Sequence, residues 1–111
     1  IFKSLIMLVE LTADNLSELV AQNAKVVVQY SASWCGNCRI MKPKFKVMSE
    51  QHTDKVFAIV DAEKFPESRK LANVSNLPTF ATFVDGKLVD QIQTNKVEGL
   101  TNLVNEISVA S

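Results

Sequence analysis

Apolar residues recur along this chain with two periods, and the alternation between them predicts the elements. Short apolar runs at residues 8–11, 26–30 and 56–61 read as strands, the last two as buried ones. Between them lie segments with helical spacing. Leu16, Leu19 and Val20 share one face of a first helix, for which Thr12 or Asp14 is the expected cap. Met41, Phe45 and Met48 fall at i, i+4 and i+7 of a second, running to about Gln51. Pro43 lies inside that helix and is expected to kink it, because it removes one hydrogen bond. Pro66 opens a helix expected to reach Asn73. Residues 79–84 and 87–93 flank Asp85-Gly86, a strong two-residue hairpin signal. A last helix carries Val97, Leu100, Leu103, Val104 and Ile107 on one stripe.

The order is therefore β-α-β-α-β-α-β-β-α. Its βαβ units demand parallel strands and its final hairpin an antiparallel pair. The fold class expected is α/β, a mixed central β-sheet with helices on both faces. The chain of 111 residues reads as one domain, with residues 1–7 as an N-terminal extension or foreign residues and Met7 as a candidate start. The apolar stretch at residues 5–9 is too short to span a bilayer, and no small-residue cleavage pattern follows it. Twelve basic and twelve acidic residues cancel, so there is no electrostatic footprint for nucleic acid or a membrane surface. A soluble monomer is expected.

The chemistry concentrates in Trp34-Cys35-Gly36-Asn37-Cys38, which holds both cysteines of the chain. It falls where the strand at residues 25–30 gives way to a helix. Cysteines three apart on a helix lie within the roughly 4.4–6.8 Å between Cα atoms that a disulfide accepts. The helix N-terminus offers unpaired N–H groups and partial positive charge, both of which favour a thiolate at Cys35. Thiol–disulfide exchange follows. Zinc would need four ligands, and the one histidine, His52, is at the far end of the helix. It reads as a solvated helix end. A structural disulfide closing so small a loop would remove little unfolded-chain entropy. No metal and no organic cofactor are expected, and no glycine-rich phosphate loop is present in the sequence.

With that element order and its WCGNC sequence, the chain resembles the thioredoxin family from about Val9 to Ile107. Pro43 stands at the kink of the family's active-site helix, Leu77-Pro78-Thr79 matches its Ile/Val-Pro-Thr, Asp85-Gly86 its hairpin and Asp61 the acidic end of its third strand. The resemblance implies a thioredoxin fold and a protein-disulfide oxidoreductase. In such a protein Cys35 attacks a substrate disulfide and Cys38 resolves the mixed disulfide. It also implies a cis Pro78 facing the disulfide, with Leu77 offering backbone groups to an incoming peptide. Trp34, Gly36 and Asn37 complete the implied substrate surface, Trp34 as an apolar lid. The partners implied are disulfide-containing proteins and a flavin-containing, NADPH-dependent thioredoxin reductase. The compartment expected is the cytoplasm, because dithiol reductants must be recycled.

Three departures matter. The family's Cys-Gly-Pro-Cys is here Cys-Gly-Asn-Cys, and Asn37 restores a backbone N–H and frees φ, which favours the dithiol. The family's buried aspartate six residues before the first cysteine is Gln29, and a lysine commonly beside it is Phe57. A glutamine has no titrating proton, so it cannot act as general base for Cys38. Gln29 is either a satisfied core amide or a residue of altered proton handling. An oxidase or isomerase of an oxidising compartment, or a redox-inactive peptide-binding module, are the alternatives to a reductant.

Overall fold

The computed structural model describes residues 8–108, so the expected extension at residues 1–7 lies outside the described residues. The elements are β1 (Leu8–Glu10), α1 (Leu16–Gln22), β2 (Lys25–Ser31), α2 (Gly36–Gln51), β3 (Val56–Asp61), α3 (Pro66–Arg69), β4 (Thr79–Val84), β5 (Lys87–Gln93) and α4 (Val97–Ser108). They form one five-stranded sheet in the order β1-β3-β2-β4-β5. β3 runs parallel to both β1 and β2; α1 links β1 to β2, and α2 links β2 to β3. β4 runs antiparallel to β2 and to β5. The sheet is mixed, as the element order requires.

β2 lies between β3 and β4, so its side chains are buried on both faces, and successive residues point opposite ways. Val26, Val28 and Tyr30 join Leu16 and Val20 of α1 with Ala58 and Val60 of β3 in one core layer. Val27 points the other way. It packs with Met41 and Phe45 of α2, Phe57 and Ile59 of β3, and Leu100, Leu103, Val104 and Ile107 of α4. The hydrophobic effect thus clamps helices onto both faces. Val97, expected on the α4 stripe, is partly exposed at its end. Gly99 allows α4 to approach β5 closely: a Cβ there would stand 3.2 Å from both Ile92 Cδ1 and Thr94 Cγ2.

Several boundaries differ from expectation, each for a local reason. Asp85 and Gly86 both have positive φ, 52° and 83°, the backbone a two-residue hairpin of type I′ demands. Residue 11 is outside β1, although Leu11 N still donates to Ile59 O at 3.0 Å. Neither Thr12 nor Asp14 caps α1; its N-cap is Asn15, without a side-chain cap bond. Leu16 N donates instead to Ser68 Oγ at 3.1 Å. Helix α3 stops at Arg69 rather than reaching Asn73. Beyond it, Asn73 N and O are both taken by the Gln91 side chain of β5, and Arg69 Nη2 donates to Val74 O. Side chains thereby supply partners that a longer helix would have drawn from its own backbone.

No helix among the described residues is long and apolar enough to cross a membrane.

Candidate active site

Cys35 and Cys38 form a disulfide with a Cα–Cα distance of 5.3 Å. β2 delivers the chain to this point and α2 leaves from it. Cys35 is the N-cap of α2, with extended backbone (φ −86°, ψ 109°), and its Sγ accepts the Cys38 N–H at 3.1 Å. The sulfur thus occupies the place that a serine or aspartate oxygen fills in ordinary caps. No acidic residue stands in the first turn of α2, so nothing there offsets the positive end of the helix dipole. Both sulfur residues are buried, Cys35 at 6% exposure and Cys38 at 2%. Cys35 is therefore less exposed than its end position suggested, although it remains the outer of the two.

Ala32, Cys35 and Cys38 make a small apolar cluster on which Leu77 packs. This contact brings a segment more than 35 residues downstream to the disulfide. The Leu77–Pro78 peptide bond is cis. Gly36 and Asn37 are exposed, and a Cβ at Gly36 would meet nothing within 4 Å. The surface beside the sulfurs is open. Trp34, next to Cys35 in sequence, is 64% exposed.

Gln29 lies fully buried in the middle of β2, opposite Ile59 on one side and Phe80 on the other. Its Nε2 donates to Cys38 O at 3.1 Å, while Oε1 is buried and has no hydrogen-bond partner among the described residues. Phe57 belongs to the core and meets Phe45 edge-on at 5.1 Å between ring centroids. No cation can stand in its place.

A cavity of about 280 Å³ opens beside the disulfide, lined by Cys35, Cys38, Arg39, Lys42, Glu10 and Asp61 among others. Lys42 pairs with Glu10 across it at 3.2 Å, and Asp61 Oδ1 accepts the N–H groups of Glu63 and Lys64 at 3.0 Å each. Sequence reasoning noted Asp61 but missed Glu10 and Lys42. They are 32 residues apart in sequence, and only the β1–β3 pairing carries Glu10 to the active-site helix. His52 sits at the opposite end of α2, and its ring lies against Phe57 with centroids 6.3 Å apart. Rather than being a freely solvated end, it is half-buried beside Lys55. Among the described residues, no three His, Cys, Asp or Glu side chains gather to hold a metal ion.

Compared with known families, residues 7–107 match the Thioredoxin family model. The chain belongs to the thioredoxin family. It is 32% identical over 93 residues to Thioredoxin H2 of Arabidopsis thaliana, covering 84% of this chain and 70% of that protein. The crystal structure of Schistosoma mansoni thioredoxin superposes with a TM-score of 0.82 at 33% identity, covering 89% of this chain and 94% of that one. A chain of the complex of ferredoxin:thioredoxin reductase with thioredoxin f2 superposes with a TM-score of 0.83 at 27% identity, covering 92% and 96%. With a bridged Cys-x-x-Cys at the β2–α2 junction, this thioredoxin is a thiol–disulfide oxidoreductase.

Proposed function

We propose that this thioredoxin reduces disulfides of other proteins, with Cys35 as nucleophile and Cys38 as resolving thiol. The observation that carries this reading is the Cys38 N–H donated to Cys35 Sγ at the start of α2. That bond and the helix terminus both stabilise negative charge on the Cys35 sulfur. In the forward cycle the Cys35 thiolate attacks one sulfur of a substrate disulfide. The substrate S–S bond breaks, a Cys35–substrate disulfide forms, and the other substrate sulfur leaves as thiolate. Cys38 then loses its proton and attacks Cys35 Sγ. The mixed disulfide breaks, the second substrate sulfur departs, and Cys35–Cys38 is oxidised by the two electrons that reduced the substrate. Gln29 holds Cys38 O and has no proton to exchange, so the Cys38 proton goes to water or to the leaving thiolate.

Trp34, Gly36 and Asn37, with the Leu77–Pro78 segment, form the surface that receives the substrate chain. Openness at Gly36 supports this, because an extended peptide can lie against the backbone there. A thioredoxin reductase is the partner proposed to restore the dithiol; the ferredoxin:thioredoxin reductase complex of thioredoxin f2 supports that class. The reducing direction goes with a cytoplasmic monomer. Replacing Cys38 with Ser should trap substrate as a stable mixed disulfide, and Cys35→Ser should trap none. Faster alkylation of Cys38 than of Cys35 in the reduced protein would reverse the assignment.

A further inference from the structure

We propose that Gln29 Oε1 accepts a hydrogen bond from the Cys38 thiol in the dithiol state alone, making this amide a redox-linked contact that raises the reduction potential. The inference rests on Cys38 cycling through a thiol, as in the function proposed above. Its starting point is the orientation of the amide. A carbonyl can only accept, so the end of Gln29 that meets Cys38 O at 3.1 Å must be the NH₂. Oε1 is then a fully buried acceptor, and in the disulfide state no group among the described residues donates to it. A buried acceptor left unpaired is costly, and native interiors rarely tolerate one without a function.

The surroundings restrict what can satisfy it. The layer around Gln29 is apolar: Ile59 and Phe80 flank it on the neighbouring strands, and Val27, Met41 and Phe45 belong to the same core. Hydroxyls in β4 are engaged elsewhere, Thr79 with Asn76 O and Thr82 with Asp90 O. The Cys38 N–H is held by Cys35 Sγ. The charged cavity is lined by Cys38 but not by Gln29. On reduction, two electrons and two protons convert the bridge to two thiols, and Cys38 gains an S–H on the residue to which Gln29 is already tied. That S–H is the donor Oε1 lacks. The bond exists in one redox state and not in the other, so its free energy enters the redox equilibrium directly. The Nε2 bond to Cys38 O is to backbone and largely cancels between the states. Stabilising the dithiol makes the protein a weaker reductant than an otherwise identical chain with an apolar residue at position 29.

Two measurements test this. In the reduced Cys35→Ser variant, which retains one thiol, the infrared S–H stretching band of Cys38 should lie below that of a free thiol and move up when Gln29→Leu is added. In a glutathione redox buffer, Gln29→Leu in the otherwise native chain should be oxidised more readily by about fivefold, the size of one ordinary neutral hydrogen bond. At 29.6 mV per tenfold, this lowers the potential by about 20 mV. A band at the free-thiol position in Cys35→Ser overturns the proposal, and that reading needs no Gln29 variant to fold. So does an unchanged potential in folded Gln29→Leu. Neither result depends on which sulfur attacks substrate, so failure here is separable from failure of the trapping experiment.

Discussion

Asp14 Oδ1 accepts hydrogen bonds from both the backbone N–H and the hydroxyl of Ser68, each at 2.7 Å, so a carboxylate on the approach to α1 closes the first turn of α3 instead. Its Oδ2 takes the Glu67 N–H at 3.0 Å. Ser68 in turn accepts Leu16 N on its hydroxyl and the Tyr30 hydroxyl on its carbonyl, the latter at 2.8 Å. One buried serine thus ties α1, β2 and α3 together. Ser68→Ala leaves Leu16 N without its acceptor, which costs about 1–3 kcal/mol for a buried group. Urea unfolding should show that loss, with insulin reduction by the folded fraction unchanged.

The same carboxylate gives the protein an acid-sensitive contact. Desolvation pushes the Asp14 carboxyl up, but the Ser68 hydroxyl, the N–H groups of Glu67 and Ser68 and the charge of Lys70 outweigh it, and the net shift is down. With the folded value depressed, the stabilisation is complete above the unfolded value of about 3.9 and is lost as pH falls through the lower folded one. Asp14→Asn should flatten the acid limb of stability against pH. Urea midpoints measured from about pH 6 downwards will show whether the two curves converge.

His52 provides a second pH dependence, nearer neutrality. Its burial and the adjacent Lys55 ammonium lower its pKa against the opposing pull of Asp54. Lys55 is itself buried, with its Nζ 3.1 Å from Asp54 Oδ1 and 3.4 Å from His52 Nδ1. Below about pH 6.5 the unfolded chain takes up a proton that the folded one refuses. Stability therefore declines as pH drops from about 6.5 through the folded value, and His52→Gln should remove that slope. Thermal melts of the two proteins that fall in parallel through this interval would refute it.

Gln91 should matter to substrate binding without touching substrate. Its amide accepts Asn73 N at 2.8 Å and donates to Asn73 O at 2.6 Å, pinning the loop that leads to Leu77 and Pro78. Gln91→Ala should raise KM for a protein disulfide by about fivefold, the worth of one net hydrogen bond, with kcat little altered. A fall in kcat at constant KM would mean that the loop acts on the chemistry instead.

Gln29→Asp should speed resolution. An ionised carboxylate at this place can take the Cys38 proton, and a positioned base contributes on the order of 10²-fold or more. Its charge also raises the Cys35 pKa, and the fold loses stability because Phe57 stands where a compensating cation would be. Stopped-flow release of a mixed disulfide between about pH 6 and 9, a range that brackets the ordinary thiol pKa of about 8.5, measures the effect. Superimposable profiles would leave the proton transfer to water in both proteins.

Much of this architecture is legible in residue spacing because burial imposes it. Val26 to Tyr30 and Val56 to Val60 alternate between two core layers, and Asp85-Gly86 matches the positive φ angles of its turn. The cysteine pair was equally readable, since its chemistry is local. What could not be read are contacts made across the chain. The Asp14–Ser68 bond joins residues 54 apart, and the clamp of Gln91 on Asn73 spans 18, and each moves a helix boundary that local propensity had set elsewhere. Trp34 was legible as an aromatic beside the reactive pair, but its 64% exposure was not.

The hydrogen bond from Cys38 N to Cys35 Sγ makes one amide proton a voltmeter for the site. A thiolate draws that proton more strongly than a disulfide sulfur, because charge-assisted bonds are shorter and stronger. Its nuclear resonance should shift downfield, and its exchange with solvent slow, in step with ionisation of the nucleophile. The charge on the reacting sulfur can thus be followed from the backbone in the unmodified protein, with no probe attached.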